Sequence, residues 1–382
     1  MGPMQRKNEG NGVSGHGRRS ASSRDVAAIT TVEPENILVV LPNWVGDLVL
    51  ATPALRSIRT RFPSSRISFL LRGPLEPILA GGDWMDEFIH WPQYRGQSKP
   101  SRRKSFLGFA GELKRKQFDW AILLTNSFRS AMLSRLAAIP RRIGYDRDGR
   151  GLLLTDRLLP AREKGQYVPM PMIRYYNAIA RYVGCRECGE ATELFTTTEE
   201  EAGASERLAA AGVRDGMPYV MLNPGAAYGP AKMWLPERFA ETGDRLARER
   251  NAAVLIMCGP KEVDIARRIE SLMEQPATVL ADPVPSLGIA KALVRRSILL
   301  VTNDTGPRHF ANACRVPVVT IFGPTFPEWT DGDYPLERIA MIPVDCGPCM
   351  KRRCPLDHRC MTGITTDRVM GHVSELLDVE SR

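Results

Sequence analysis

Short, mostly apolar runs recur along this chain, each too brief for a helix, and those at 298–301 and 316–322 are rich in β-branched residues. Residues 37–41, 67–71, 87–91 and 120–124 form one series, and 219–222, 253–257, 279–280, 298–301 and 316–322 a second. A strand that is apolar throughout is buried on both faces, which calls for a parallel sheet covered by helices. Between the runs lie turns and stretches with helical spacing, expected over 48–61, 75–80, 131–138, 167–183, 236–249, 262–273, 287–295 and 308–314. A further helix is expected to run to Ala211, with Thr198 as its N-cap and Glu199, Glu200 and Glu201 in its first turn. This alternation predicts an α/β protein built from two Rossmann-like, doubly wound domains that face a central cleft. The 382 residues exceed what one ordinary core holds. The expected division is 34–190 for the first domain, 191–360 for the second, with a Cys-rich end, and a C-terminal helix over 361–382. Residues 1–33 are rich in Gly, Ser, Asn and Arg and are expected to be disordered.

No apolar run approaches the roughly 20 residues that a membrane span needs. The apolar stretch at 26–32 is too short and polar for a secretory signal, so a cytoplasmic protein is expected. The net charge of +9 fits an acidic substrate, an anionic membrane surface or nucleic acid. Four of the eight cysteines crowd into 346–360, a pattern that suits a reducing compartment better than a disulfide framework.

Several turns carry residues suited to chemistry. Asp47 follows the first strand in Asn43-Trp44-Val45-Gly46-Asp47. It can complement a helix dipole, or serve as a carboxylate that takes a proton from a hydroxyl nucleophile. The loop from Asn223 to Lys232 joins glycines to one cation, as a phosphate site requires, although its spacing is not that of a Walker loop. Glu262 can accept hydrogen bonds from a ribose or simply favour the first turn of its helix. Asn303-Asp304-Thr305-Gly306-Pro307 separates a strand from a short helix, with Asp304 or Thr305 as its expected cap and free N–H groups for an anion. His309 either donates to the same anion or packs beneath the loop.

Taken together, the Asn43–Asp47 turn, the Pro224-Gly225…Lys232-Met233-Trp234 loop and the run Asn303 to His309 resemble glycosyltransferase family 9, the heptosyltransferases. The Asn-Trp-Val-Gly-Asp form and the cysteine-rich end are most similar to its heptosyltransferase II branch, over about residues 35–375. The resemblance implies a GT-B fold and metal-independent, inverting transfer of L-glycero-D-manno-heptose from ADP-heptose to the lipopolysaccharide inner core. It implies Asp47 as general base, Lys232 as phosphate ligand, and Asp304, Thr305, Gly306 and His309 as donor-binding residues. Glu262 matches the ribose-binding acid. Peripheral contact with the inner membrane accompanies such an acceptor.

The basic segment 93–116 lies outside those motifs. Arg102 and Arg103 within it, with Asn43 and Trp44 of the first turn, are the candidate acceptor contacts. Cys346, Cys349, Cys354, His358 and Cys360 have zinc-like Cys-x2-Cys spacing, so a structural zinc and a loop of packed, reduced thiols are the two readings. Catalysis is expected to need no cofactor. A GT-B transferase using another nucleotide sugar on a glycan or lipid is the rival enzyme reading. A nucleic-acid-binding module is the rival from another class, but the basic residues lack the aromatic interleaving of single-strand binders, and no nucleic-acid partner is expected.

Overall fold

The structure is a computed structural model, and it describes residues 33–92, 106–163, 165–186, 188–330 and 333–378. The expected N-terminal extension (all but residue 33), the Arg102–Arg103 pair and the end of the C-terminal segment lie outside the described residues.

The first sheet contains β1 (Asn36–Val40), β2 (Arg66–Leu71), β3 (Glu87–His90), β4 (Trp120–Leu123), β5 (Arg141–Tyr145) and β6 (Asp156–Leu158). Its strand order is β3-β2-β1-β4-β5-β6 and every pairing is parallel. A two-stranded hairpin, β7 (Arg162–Glu163) with β8 (Gln166–Tyr167), follows. The second sheet holds β9 (Tyr219–Asn223), β10 (Ala253–Met257), β11 (Ala277–Leu280), β12 (Leu299–Asn303), β13 (Val318–Ile321) and β14 (Glu337–Ala340). Its order, β11-β10-β9-β12-β13-β14, repeats the first, again wholly parallel. That order reverses direction at the central strand, and the carboxyl ends there open onto the ligand crevice of a Rossmann sheet. In the first sheet this point lies between β1 and β4, and in the second between β9 and β12.

Helices α1 (Val45–Leu50), α2 (Thr52–Arg61), α3 (Glu76–Leu79), α4 (Phe106–Arg115), α5 (Phe128–Leu136) and α6 (Met172–Tyr182) accompany the first sheet. Helices α7 (Thr198–Ala210), α8 (Pro236–Arg250), α9 (Val263–Leu272), α10 (Leu287–Arg296), α11 (Arg308–Cys314), α12 (Arg359–Thr362) and α13 (Thr366–Leu377) accompany the second. The single helix expected over 48–61 is two helices, with Ala51 serving as the C-cap of one and the N-cap of the next. Pro53, which lacks an N–H, occupies the first turn of the second helix, where that loss costs nothing. The cap of α7 is Thr197 rather than Thr198. Its side chain accepts from Glu200 N–H while the Glu200 carboxylate accepts from Thr197 N–H, a reciprocal capping box.

Pro34–Arg382 forms one compact unit, and one apolar cluster runs through it from Ile37 and Val39 of the first sheet to Leu300 and Val318 of the second. A buried cation also crosses between the halves. Lys291 on α10 is fully buried, and its ammonium donates to the carbonyls of Pro77 (2.8 Å), Ile78 (3.3 Å) and Ala80 (3.3 Å) at the end of α3. Glu200 of the α7 capping box lies 3.1 Å from the same nitrogen and neutralises it. Burial lowers the Lys291 pKa, and the Glu200 carboxylate opposes that shift. None of the described helices is long and apolar enough to cross a membrane.

Candidate active site

The turn after β1 meets the turn after β12. Both leave the carboxyl end of a central strand, and each turn puts a glycine where the other approaches. A Cβ on Gly46 would sit 2.7 Å from His309 Cδ2, and one on Gly306 would sit 2.5 Å from Val45 Cβ. These separations are closer than real side-chain carbons come, so only hydrogen fits at either position. Gly306→Ala is expected to force the turns apart, at about 1–3 kcal/mol of overpacking. Misplacing groups from the two halves by about 1 Å should lower turnover by about 10²-fold. Steady-state kinetics beside thermal unfolding would check this, and unchanged kinetics would remove any role for the close approach.

Asp47 is in the first turn of α1 and half-buried. Burial raises its carboxyl to about 6, which brings it into the range of a general base working near neutrality. Tyr176 on α6 is fully buried beside it. Burial first, and then the Asp47 charge, hold the Tyr176 phenol well above its ordinary range, so it stays protonated.

Across the meeting point, Asp304 is buried and multiply engaged. Lys232 Nζ donates to its Oδ2 at 2.5 Å and to its carbonyl at 3.2 Å. Thr325 Oγ1 donates to Oδ2 at 2.6 Å, and Arg308 Nη1 to Oδ1 at 3.3 Å. Burial would raise this carboxyl, but the Arg308 and Lys232 charges and the hydrogen bonds from Lys232 and Thr325 outweigh it, leaving the pKa below the ordinary value. Asp304 thus holds Lys232 in place, and two of the three ammonium N–H bonds are spent on it.

The loop carrying Lys232 is fixed from below by Asn303, a fully buried residue that sequence reading passed over. Its Nδ2 donates to Pro224 O (2.7 Å) and its Oδ1 accepts from Trp234 N–H (3.1 Å), so one amide ties both ends of the loop. Glu262, at the N-cap of α9, accepts from Gly259 N–H at 2.9 Å. A Cβ on Gly225 would lie 2.1 Å from its Oε2, so Glu262 closes on the same loop.

The expected side-chain cap of α11 is absent. Pro307 is the N-cap, neither Asp304 nor Thr305 caps through its side chain, and the helix has only seven residues. Thr305 and Gly306 remain partly accessible at the turn. His309 is buried against Gly46. Burial first, then the Arg308 charge, hold its pKa well below the ordinary value. Its Nδ1 has no partner among the described residues. Arg308, which opens the expected helix over 308–314, is fully buried. Its Nε is 3.0 Å from Glu337 Oε1, its Nη1 donates to Thr330 Oγ1 (3.1 Å), and its guanidinium carbon stands 4.9 Å from the centre of the Phe322 ring. The available signal was a cation four residues after Asp304, and the turn between them brings the two together.

Asn43 and Trp44 are exposed and line a cleft of about 720 Å³ on the first domain, with Arg72, Trp91, Ser127 and Arg129. The Arg129 guanidinium lies 5.6 Å from the Trp91 ring centre. Of the expected acceptor contacts the structure therefore places two in one cleft and adds two arginines.

The zinc set fares differently. Among the described residues, no three His, Cys, Asp or Glu side chains form a group able to hold a metal ion. His358 donates from Nε2 to the Ala231 carbonyl at 2.8 Å, and Cys354 Sγ accepts from Leu356 N–H. Cys346 is exposed while Cys360 is buried. Burial raises the Cys360 thiol, and Cys354, Cys346 and Cys349 lie near enough to raise it further, so the four thiols are neighbours at this end of the chain.

Residues 107–359 match the profile of glycosyltransferase family 9 (heptosyltransferase). The chain is 28% identical over 365 residues to lipooligosaccharide heptosyltransferase 2 of Haemophilus ducreyi, covering 89% of this chain and 99% of that protein. It is 28% identical over 353 residues to lipopolysaccharide heptosyltransferase 2 of Escherichia coli, covering 89% and 98%. The solved structure of E. coli ADP-heptose LPS heptosyltransferase II superposes with a TM-score of 0.74 at 25% identity, covering 91% of this chain and all of that one. The paired Rossmann sheets are therefore the GT-B architecture, and the chain belongs to glycosyltransferase family 9, the heptosyltransferases.

Proposed function

We propose that this protein is an inverting glycosyltransferase that moves heptose from ADP-L-glycero-D-manno-heptose to the inner core of lipopolysaccharide. The observation that carries the reading is the docking of the Asp47 turn against the Asp304–His309 turn. It brings the turn that carries a carboxylate poised near neutrality against the turn whose Asp304 holds Lys232.

In this reading the donor's diphosphate meets the remaining N–H of Lys232, and Glu262 faces the ribose. The acceptor lies along the cleft of Asn43, Trp44, Arg72 and Arg129, whose two guanidinium groups suit an acidic saccharide. Asp47 takes the proton from the attacking hydroxyl. The new bond forms at the anomeric carbon as its bond to the diphosphate breaks on the opposite side, and ADP leaves with the charge that Lys232 stabilises. Tyr176, held protonated under α1, keeps the neighbourhood of Asp47 free of a second negative charge. The relatives named heptosyltransferase 2 and the E. coli ADP-heptose LPS heptosyltransferase II support the donor and the acceptor class. The net charge of +9 fits peripheral contact with an anionic membrane that carries a lipid-linked acceptor.

The test is transfer from ADP-heptose to a core-oligosaccharide acceptor, with the linkage read by NMR. A product of inverted anomeric configuration is expected. Retained configuration would end the mechanism, and transfer only from another nucleotide sugar would favour the broader GT-B reading.

A further inference from the structure

The segment from Cys346 to Cys360 lies against the loop that carries Lys232. Tyr228 Oη donates to the Met350 carbonyl at 2.6 Å, Ala231 N–H donates to the Arg352 carbonyl at 3.1 Å, and His358 Nε2 donates to the Ala231 carbonyl at 2.8 Å. Between these contacts the two backbones nearly touch. Gly229 has φ +155°, and a Cβ there would be 2.5 Å from the Arg352 oxygen and 3.1 Å from Arg352 Cβ. The segment is anchored in turn by Met350 N–H to the Pro324 carbonyl at 2.8 Å, one residue before the Thr325 that holds Asp304.

These links bring a second cation to the loop. The Arg352 guanidinium carbon lies 5.4 Å from the centre of the Tyr228 ring, and Lys232 Nζ lies 4.9 Å from the same centre. Among the described residues Arg352 makes no ion pair, and its side chain is exposed, whereas Lys232 is already tied to Asp304. Two like charges gathered around one ring repel each other unless an anion lies near both, and a guanidinium fork matches phosphate oxygens in pairs.

We propose that Arg352 is a second ligand for the diphosphate of the nucleotide donor, delivered by the Cys-rich segment, with Tyr228 spacing it from Lys232. The proposal rests on the donor-site reading above. It also gives the Cys-rich segment a role that needs no metal, as the outer wall of the phosphate site. Of its cysteines, the buried Cys360 packs that wall against the core.

Isothermal titration of the full chain with ADP and with AMP tests it, using Arg352→Ala, Arg352→Lys and, as control, Lys232→Ala. Loss of a charge-assisted contact should weaken ADP binding by roughly ten- to a hundredfold in Arg352→Ala. The preference for ADP over AMP should narrow, and Arg352→Lys should recover part of the loss. Because Arg352 is exposed, its replacement should leave the thermal midpoint unchanged. Arg352→Ala with parental ADP affinity, beside a Lys232→Ala that has lost it, would overturn this proposal and leave the donor site standing. Parental affinity in both would overturn the donor-site reading itself.

Discussion

Asp47→Asn is expected to lower turnover by about 10²- to 10⁴-fold, the range lost when a positioned general base is removed. ADP affinity should stay near parental, because the residues proposed to meet the phosphates lie in the other half of the molecule. The pH dependence supplies an independent check. A base acts in its ionised form, so the parental rate should climb as pH rises through about 6 and level off above it. The variant should lose that limb. Stability should move the opposite way. A carboxyl whose pKa is raised by folding binds its proton more tightly when folded, so ionising it costs stability as pH rises from its unfolded value near 4 towards about 6. The amide variant should therefore be at least as stable as the parent above pH 6, with the difference closing below about 4. A variant with parental turnover and an intact acidic limb would exclude Asp47 as the base.

Arg308→Ala carries the largest expected effect on stability. Removing one partner from a buried ion cluster costs about 3–5 kcal/mol, because the carboxylates left behind remain buried without compensation. Here two are left, Asp304 and Glu337. Among the described residues Glu337 keeps the hydrogen bonds from Thr320 (2.6 Å) and Asn312 (3.2 Å), and Asp304 keeps Lys232 and Thr325. Denaturant unfolding should show a lower midpoint at neutral pH. The double variant Arg308→Met with Glu337→Gln should regain part of the loss, because it removes one of the stranded charges. An unchanged midpoint in Arg308→Ala would show that the cluster contributes little. A stable but donor-blind Arg308→Ala would instead mean that it serves to orient Asp304.

The doubly wound sheets were legible because strands buried on both faces are predominantly apolar, and β1, β4, β9, β12 and β13 are. β14 was not seen. It sits at the sheet edge, only Ala340 of its four residues is buried, and its Glu337 and Arg338 read as surface. The break at Ala51 escaped notice because apolar spacing continues across it. Of the candidate site, the residues that leave strand ends were visible as turns rich in Asp, Gly and Asn. The residues that position them were not, since Asn303 and Arg308 look locally like solvent-facing polar residues and acquire their partners only through contacts far along the chain. The donor turn was read as a capped helix N-terminus, but its carboxylate is committed to Lys232 and Arg308. The glycines at 46 and 306 are small so that two turns can meet, a contact between distant stretches that local spacing does not reveal.

The buried ammonium of Lys291 bears on how this protein comes apart. It terminates a helix of one half from a helix of the other, and the apolar cluster around it belongs to both. Neither half can unfold without stranding that charge or exposing the shared cluster. Calorimetry of the intact chain should accordingly give a single cooperative transition, with calorimetric and van't Hoff enthalpies in agreement. ADP held by one half should then raise the melting temperature of both together.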